Sequence, residues 1–220
     1  MKWSYIIGID EVGRGPIAGP VAVCSFKCKF DFFDSISIDT PLRDSKKLTK
    51  KQRAQWFEFL KDEKKKGNCD FAVSIVSAEW IDKVGIVPSI KKALKTSLDN
   101  VMKQHLQNQS RFGAPVERVK REDFANAVEA NNFKIFLDGG LKAPEEFIYQ
   151  ETIIKGDELH PVISCASIVA KVSRDSLMYE YAKEYPEYGF ENHVGYGTRS
   201  HYEAIKKHGQ TKLHRKTFIK

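Results

Sequence analysis

The sequence predicts an α/β protein, a mixed β-sheet flanked by helices, and three observations carry that prediction. Runs of β-formers follow one another closely near the N-terminus, at residues 6–11 and 21–30, and their short connection favours an antiparallel meander. Further along, short apolar runs alternate with stretches of helical periodicity. The chain has 220 residues, enough for one main core.

The elements follow in order. A second strand spans 21–30, and Ile36 and Ile38 offer a third. A helix starts near Thr49, with Trp56, Phe57 and Leu60 on one face and lysines on the other, and ends in the solvated stretch 61–67. Residues 71–76 read as a strand. Residues 87–107 read as a long amphipathic helix through Ile90, Leu94, Leu98 and Val101, with His105 at its polar edge. A basic loop over 108–122 precedes a short helix around 124–130. A strand from Phe133 ends at Asp138-Gly139-Gly140, another over 148–155 ends at Lys155-Gly156-Asp157, and a strong helix runs from Pro161 to before Pro186. The tail is rich in glycine and aromatics, with a helix over 198–208. His193, His201, His208 and His214 match no metal-ligand template.

Composition bounds the function. Thirty-six Lys and Arg against 29 Asp and Glu give a net charge of +7, which suits a polyanionic partner without demanding one. Cys24, Cys28, Cys69 and Cys165 lie mostly in apolar runs without zinc spacing, as core thiols of a reducing compartment would. No apolar run is long enough to span a bilayer and no cleavable leader is evident, so a cytoplasmic location without membrane contact is expected.

Chemistry concentrates where strands end on acids. Asp10 and Glu11 close the first strand, and a loop with Gly13, Gly15, Gly19, Pro16 and Pro20 follows, carrying Arg14 between two glycines. Neighbouring side chains on a strand face opposite ways, so both acids serve one site only if the strand stops there. Asp138 repeats the pattern, and Asp175 lies on a helix with little polar surface. If these strands are parallel neighbours, their ends share one sheet edge. Carboxylates gathered so closely need divalent cations, and oxygen ligands select Mg²⁺ or Mn²⁺. Two such ions suit hydrolysis of a phosphodiester. Ser45-Lys46-Lys47 alone reads as a surface loop, and Lys171 and Asp175, four apart, as an ion pair in its weaker order. Beside a phosphodiester, Arg14, Lys46, Lys47 and Lys171 become phosphate ligands or charge stabilisers.

The strings IGIDEVGRGPIAGPVAV, RDSKKLTKKQR, FLDGG, CASIVAKVSRD, YPEYGFENHVGYGTRSH and LHRKTF run in order from Ile6 to Phe218. They resemble bacterial-type ribonuclease HII, and the arginine of Gly13-Arg14-Gly15 separates them from ribonuclease HIII, which has lysine there. The resemblance implies a ribonuclease H-like fold over a single catalytic domain, 1–220, with strand order 3-2-1-4-5 and a small helical region over about 185–220. It places Asp10, Glu11, Asp138 and Asp175 on the family's metal-binding acids. It places Gly13, Arg14 and Gly15 on the loop that reads the ribose 2′-hydroxyl, and Tyr196 on the tyrosine that packs against the next sugar. Ser45, Lys46, Lys47 and Lys171 join the substrate side. Val194 stands where many members have lysine. The implied activity is hydrolysis on the 5′ side of ribonucleotides, in RNA–DNA hybrids and singly embedded in duplex DNA. The products would carry 3′-hydroxyl and 5′-phosphate ends. A monomer working in ribonucleotide excision repair, with an unidentified replication or repair partner, is expected. The rival readings are a structure-specific DNA nuclease of the same fold class and a non-catalytic hybrid-binding protein. Four retained acids argue against the second, and Gly13-Arg14-Gly15 with Tyr196 against the first.

Overall fold

The computed structural model describes residues 3–36, 38, 42, 45–109 and 133–219. Its organising strand is β1 (Tyr5–Val12), which pairs antiparallel with β2 (Val21–Lys29) on one side and parallel with β4 (Phe133–Asp138) on the other. Outside these lie β3 (Cys69–Val76), antiparallel to β2, and β5 (Gln150–Ile153), parallel to β4. The order is therefore β3-β2-β1-β4-β5, as the resemblance implies. The expected strand at Ile36 and Ile38 does not form: a 3₁₀ turn, Phe32–Ser35, follows β2 instead. The outer edge of β2 is taken by β3, and Phe32, Ile36 and Ile38 cover apolar clusters beside the sheet.

The two sheet faces are apolar for different partners. Ile7, Ile9, Val21, Val23, Ile135 and Leu137 pack against Leu94, Leu98, Val101 and Met102 of α3 (Ile86–Gln109). On that face Ser25 of β2 also bonds Ser97 at 2.9 Å. Ahead of α3 lies α2 (Ala78–Val84), absent from the sequence reading, capped by Ser77 and ended by Gly85 at φ 86°. Asn108 and Gln109, expected in a loop, belong to α3; the rest of that loop and the helix at 124–130 lie outside the described residues. His105 is not at a polar edge: it is buried, with Nδ1 3.1 Å from Lys27 Nζ.

The opposite face carries α1 (Lys50–Lys65) and α5 (Pro161–Glu184). Helix α1 starts where expected, because Thr49 and Gln52 form a reciprocal capping box. Helix α5 lies directly on β1, and Gly8 permits it: a β-carbon there would sit 2.2 Å from the Val162 carbonyl oxygen. All four cysteines are free thiols in this layer, packed with Ile6, Phe26, Val162 and Val169. Between β5 and α5 lies the single turn α4 (Gly156–Leu159). Among the described residues no helix is long and apolar enough to cross a membrane.

The C-terminal region, α6 (Phe190–His193) and α7 (Arg199–His208), is held by a proton-ordered histidine chain. Gly195 N–H donates to His193 Nδ1, so Nε2–H of that ring donates to Tyr188 O. Thr211 N–H donates to His214 Nδ1, so His214 Nε2–H donates to His201 Nε2 at 3.2 Å, and His201 Nδ1–H donates to Tyr196 O. Only neutral rings satisfy every partner. Burial, opposed by the Tyr196 bond, holds His201 down from 6.5 to about 4. A base held neutral in the fold binds fewer protons than in the unfolded chain. This contribution is therefore complete above pH 6.5 and lost as pH falls towards about 4. Denaturant titrations across that window should show stability falling with acid, and His201→Phe should flatten the slope while weakening the protein near neutrality.

Candidate active site

The expectation that β1 stops at Asp10 and Glu11 is wrong: the strand continues to Val12, paired with β2 through Val12↔Ala22. Its pairing with β4, however, ends at Ile9↔Leu137. One edge of β1 is thus released at the two acids, which opens them without a turn. Continuing the parallel register by one residue sets Asp138 beside Asp10 on the α5 face. After β5, the chain turns through Lys155 at φ 56° into α4. Gly156 N–H donates to Asp138 Oδ1 at 2.7 Å, and Asp157 swings in next to it.

The outcome is one carboxylate cluster. Asp10, Asp138 and Asp157 each offer an oxygen, all within 4.8 Å of one another. Glu11 borders the group: its N–H donates to Asp10 Oδ1 at 2.7 Å, and its carboxylate lies 3.6 Å from Arg14 Nη1. Burial, then the charges of Glu11 and Asp138, push the Asp10 carboxyl well above its ordinary range, against a Ser167 hydrogen bond. Glu11 is raised by burial and by Asp138, with Arg14 and Lys46 opposing. An oxygen-only donor set whose members disfavour each other's charge fits a hard divalent cation.

The Ser45-Lys46-Lys47 loop reaches this cluster. Ser45 Oγ lies 2.8 Å from Ser167 Oγ, extending the Ser167–Asp10 bond. Lys46 Nζ pairs with Asp157 at 3.2 Å and Lys47 Nζ with Glu158 at 2.5 Å. Asp175 is different. Its carboxylate pairs with Lys171 Nζ at 3.0 Å and lies 3.9 Å from Arg174, so the weaker-order ion pair does form. Eight residues of helix separate it from Ser167, about 12 Å at 1.5 Å per residue. Asp157, not Asp175, shares the cluster with Asp10 and Asp138. Its signal in the sequence is an acid just past a strand end, in Lys155-Gly156-Asp157.

Above the acids stands the glycine loop. Gly13 has φ 86°, and a β-carbon there would meet Arg174 Nε at 2.2 Å. Gly15 lies beside the Tyr196 ring, its nearest atom 3.8 Å from where a β-carbon would be. Arg14 is 60% exposed and, with Lys91 and Lys142, rims a cleft floored by Ile90, Leu94 and Leu141. Glu11 thus meets the loop through Arg14, and the loop meets Tyr196 at Gly15.

The family model for Ribonuclease HII matches residues 7–220. The chain belongs to the ribonuclease HII family. Ribonuclease HII of Clostridioides difficile (strain 630) is 39% identical over 99% of this chain and 71% of that protein. The Fusobacterium nucleatum protein of the same name is 35% identical over 100% and 88%. Among solved structures, the PCNA:RNase HII complex from Archaeoglobus fulgidus contains a chain that superposes with TM-score 0.62 at 19% identity. The match covers 98% of this chain and 95% of that one. Bst-RNase HIII in complex with Mn²⁺ superposes with TM-score 0.65 at 16% identity, over 100% and 68%. These distant structures share the fold. Membership of ribonuclease HII makes the chain a ribonuclease H-type enzyme.

Because its folded pKa is raised, Asp10 stabilises the metal-free protein most fully below the ordinary carboxylate pKa of 3.8, and that contribution is lost as pH rises through the shifted value. Asp10→Asn should therefore raise the melting temperature of metal-free protein near neutral pH and abolish the further rise that Mn²⁺ gives wild type. Differential scanning calorimetry with and without Mn²⁺ checks both.

Proposed function

We propose that this enzyme hydrolyses the phosphodiester on the 5′ side of ribonucleotides, both in RNA–DNA hybrids and singly embedded in duplex DNA, leaving 3′-hydroxyl and 5′-phosphate ends. The observation that carries the reading is the Asp10–Asp138–Asp157 cluster beside the Gly13-Arg14-Gly15 loop and Tyr196. Asp10, Asp138 and Asp157, with Glu11 at the rim, would hold Mg²⁺ or Mn²⁺, two ions when substrate is bound. Such ions supply an activated water and neutralise charge on the leaving oxygen.

The protein's own groups do the rest. Ser167, backed by Ser45, keeps the Asp10 carboxylate oriented. Lys46 neutralises Asp157 before cations bind and is placed to meet a phosphate afterwards. Arg14 and Lys47 add cationic contacts to the strand backbone. The glycine loop reads the 2′-hydroxyl, because its bare backbone allows close approach. The Tyr196 ring lies against the following sugar, where a second 2′-hydroxyl would crowd it. Asp175 stays paired with Lys171 and holds no metal. A sliding clamp is the partner that the archaeal PCNA complex suggests.

Two sets of variants test this reading on a duplex with one embedded ribonucleotide. Loss of an outer hydrogen bond to a metal ligand already costs 10–100-fold, so Asp138→Asn and Asp157→Asn should each lose more than about 100-fold, while Asp175→Asn should lose less than about 10-fold. Equal damage from Asp175→Asn would overturn the choice of Asp157. Tyr196→Ala should lose most cleavage at the single ribonucleotide while remaining folded. Wild-type cleavage of all-DNA duplex would favour the DNA-nuclease alternative.

A further inference from the structure

Two arginines, Arg174 of α5 and Arg215 near the C-terminus, are fully buried. A buried guanidinium is costly unless its donors are matched, and here the hydrogen bonds go to backbone carbonyls, with Asp175 lying 3.9 Å from Arg174 Nη1. Arg215 donates from Nε to Gly19 O at 2.9 Å, from Nη1 to Arg14 O at 3.1 Å and from Nη2 to Gly13 O at 2.6 Å. Arg174 donates from Nε to Pro20 O at 2.8 Å, from Nη1 to Val194 O at 3.0 Å and from Nη2 to Ala18 O at 3.3 Å. Five of those carbonyls belong to the glycine loop, and the sixth lies two residues before Tyr196.

The geometry of the peptide unit gives this arrangement a consequence. No peptide bond is cis among the described residues, and in a trans peptide the N–H points opposite to the C=O of the same unit. Arg215 draws the carbonyls of Gly13 and Arg14 inward, so the N–H groups of Arg14 and Gly15 point away from it. Among the described residues neither N–H is given to another backbone carbonyl. Each carbonyl that accepts from a cation also polarises its own peptide, which makes the outward N–H a stronger donor.

The second anchor fixes where Tyr196 stands. Val194 has φ 43°, a left-handed conformation that a β-branched side chain resists, and its carbonyl is held by Arg174. Gly195 O accepts from both Ile17 and Ala18 N–H, and Arg215 N–H donates to Ile17 O. A β-carbon on Gly195 would lie 2.2 Å from Ala18 O. Loop, tyrosine segment and both arginines therefore form one rigid unit. Burial and the neighbouring Arg174 charge hold Arg215 down to about 9, still charged near neutral pH.

We infer that Arg174 and Arg215 are positioning residues for ribose selection: they aim the Arg14 and Gly15 amides outward and fix their spacing to Tyr196, and so set the preference for a ribonucleotide followed by a deoxyribonucleotide. This rests on the proposed substrate. A lysine keeps the charge but cannot serve three carbonyls in a fork, so Arg215→Lys and Arg174→Lys are the informative variants.

The test measures kcat/KM on a single-ribonucleotide duplex and on a continuous RNA–DNA hybrid, and Mn²⁺ affinity by calorimetry. The ratio of the two kcat/KM values should fall tenfold or more in both variants, with Mn²⁺ affinity within twofold of wild type. A merely structural role would lower both activities and metal affinity together, leaving the ratio in place. If Arg215→Lys does not fold, the Arg174→Lys ratio decides, with Arg174→Gln as a second variant at that position. A folded variant that binds Mn²⁺ normally and keeps the wild-type ratio within twofold overturns the inference. Wild type that fails to cut the single-ribonucleotide duplex while cutting the hybrid overturns the substrate reading, and the inference with it.

Discussion

Three carboxylates within 4.8 Å of one another repel one another when charged, and much of this fold serves to hold them there regardless. Coulomb repulsion at such distances would scatter side chains on mobile loops. Here one acid is fixed on β1, one on β4 and one on the turn leaving β5, so the sheet register decides their separation. The cost is visible in the Asp10 carboxyl, which burial and its neighbours push well above the ordinary range. Lys46 at Asp157 and Arg14 at Glu11 relieve part of it.

Two layers of support surround that cluster. Helix α5 lies on β1 because Gly8 lacks a side chain, and this contact brings Ser167 to Asp10. On the other side of the loop, α5 contributes Arg174 and the C-terminal segment contributes Arg215, both spent on backbone carbonyls. The histidine chain joins the same assembly, since His201 holds the Tyr196 carbonyl. The carboxylate cluster and the glycine-loop assembly are thus separate constructions that share one helix.

Much of this was legible in the sequence, and for identifiable reasons. Strands β1, β2, β3 and β4 and helices α1, α3 and α5 follow from apolar periodicity and caps such as Thr49, which are local signals. Strand order came through the resemblance to ribonuclease HII, since period and propensity do not specify neighbours. Ile36 and Ile38 misled because a β-branched pair beside a strand looks like a strand, while their place was decided by β3 occupying the edge of β2. A helix with few polar positions makes Asp175 conspicuous in the sequence, whereas the approach of Asp157 to Asp10 and Asp138 depends on the parallel pairing of β5, which is a tertiary fact. His105 reads as a polar-edge group and nothing in the sequence singles out Arg174 or Arg215, whereas packing buries all three.

The central claim is that Asp10, Asp138 and Asp157 share a divalent cation. A crystal structure of the protein soaked in Mn²⁺, with anomalous diffraction collected at the manganese edge, tests it most directly. The account predicts an anomalous peak ligated by oxygens of Asp10, Asp138 and Asp157, with Lys46 displaced from Asp157. A peak bound through Asp175 with Asp157 still paired to Lys46, or no peak at the cluster, would contradict it.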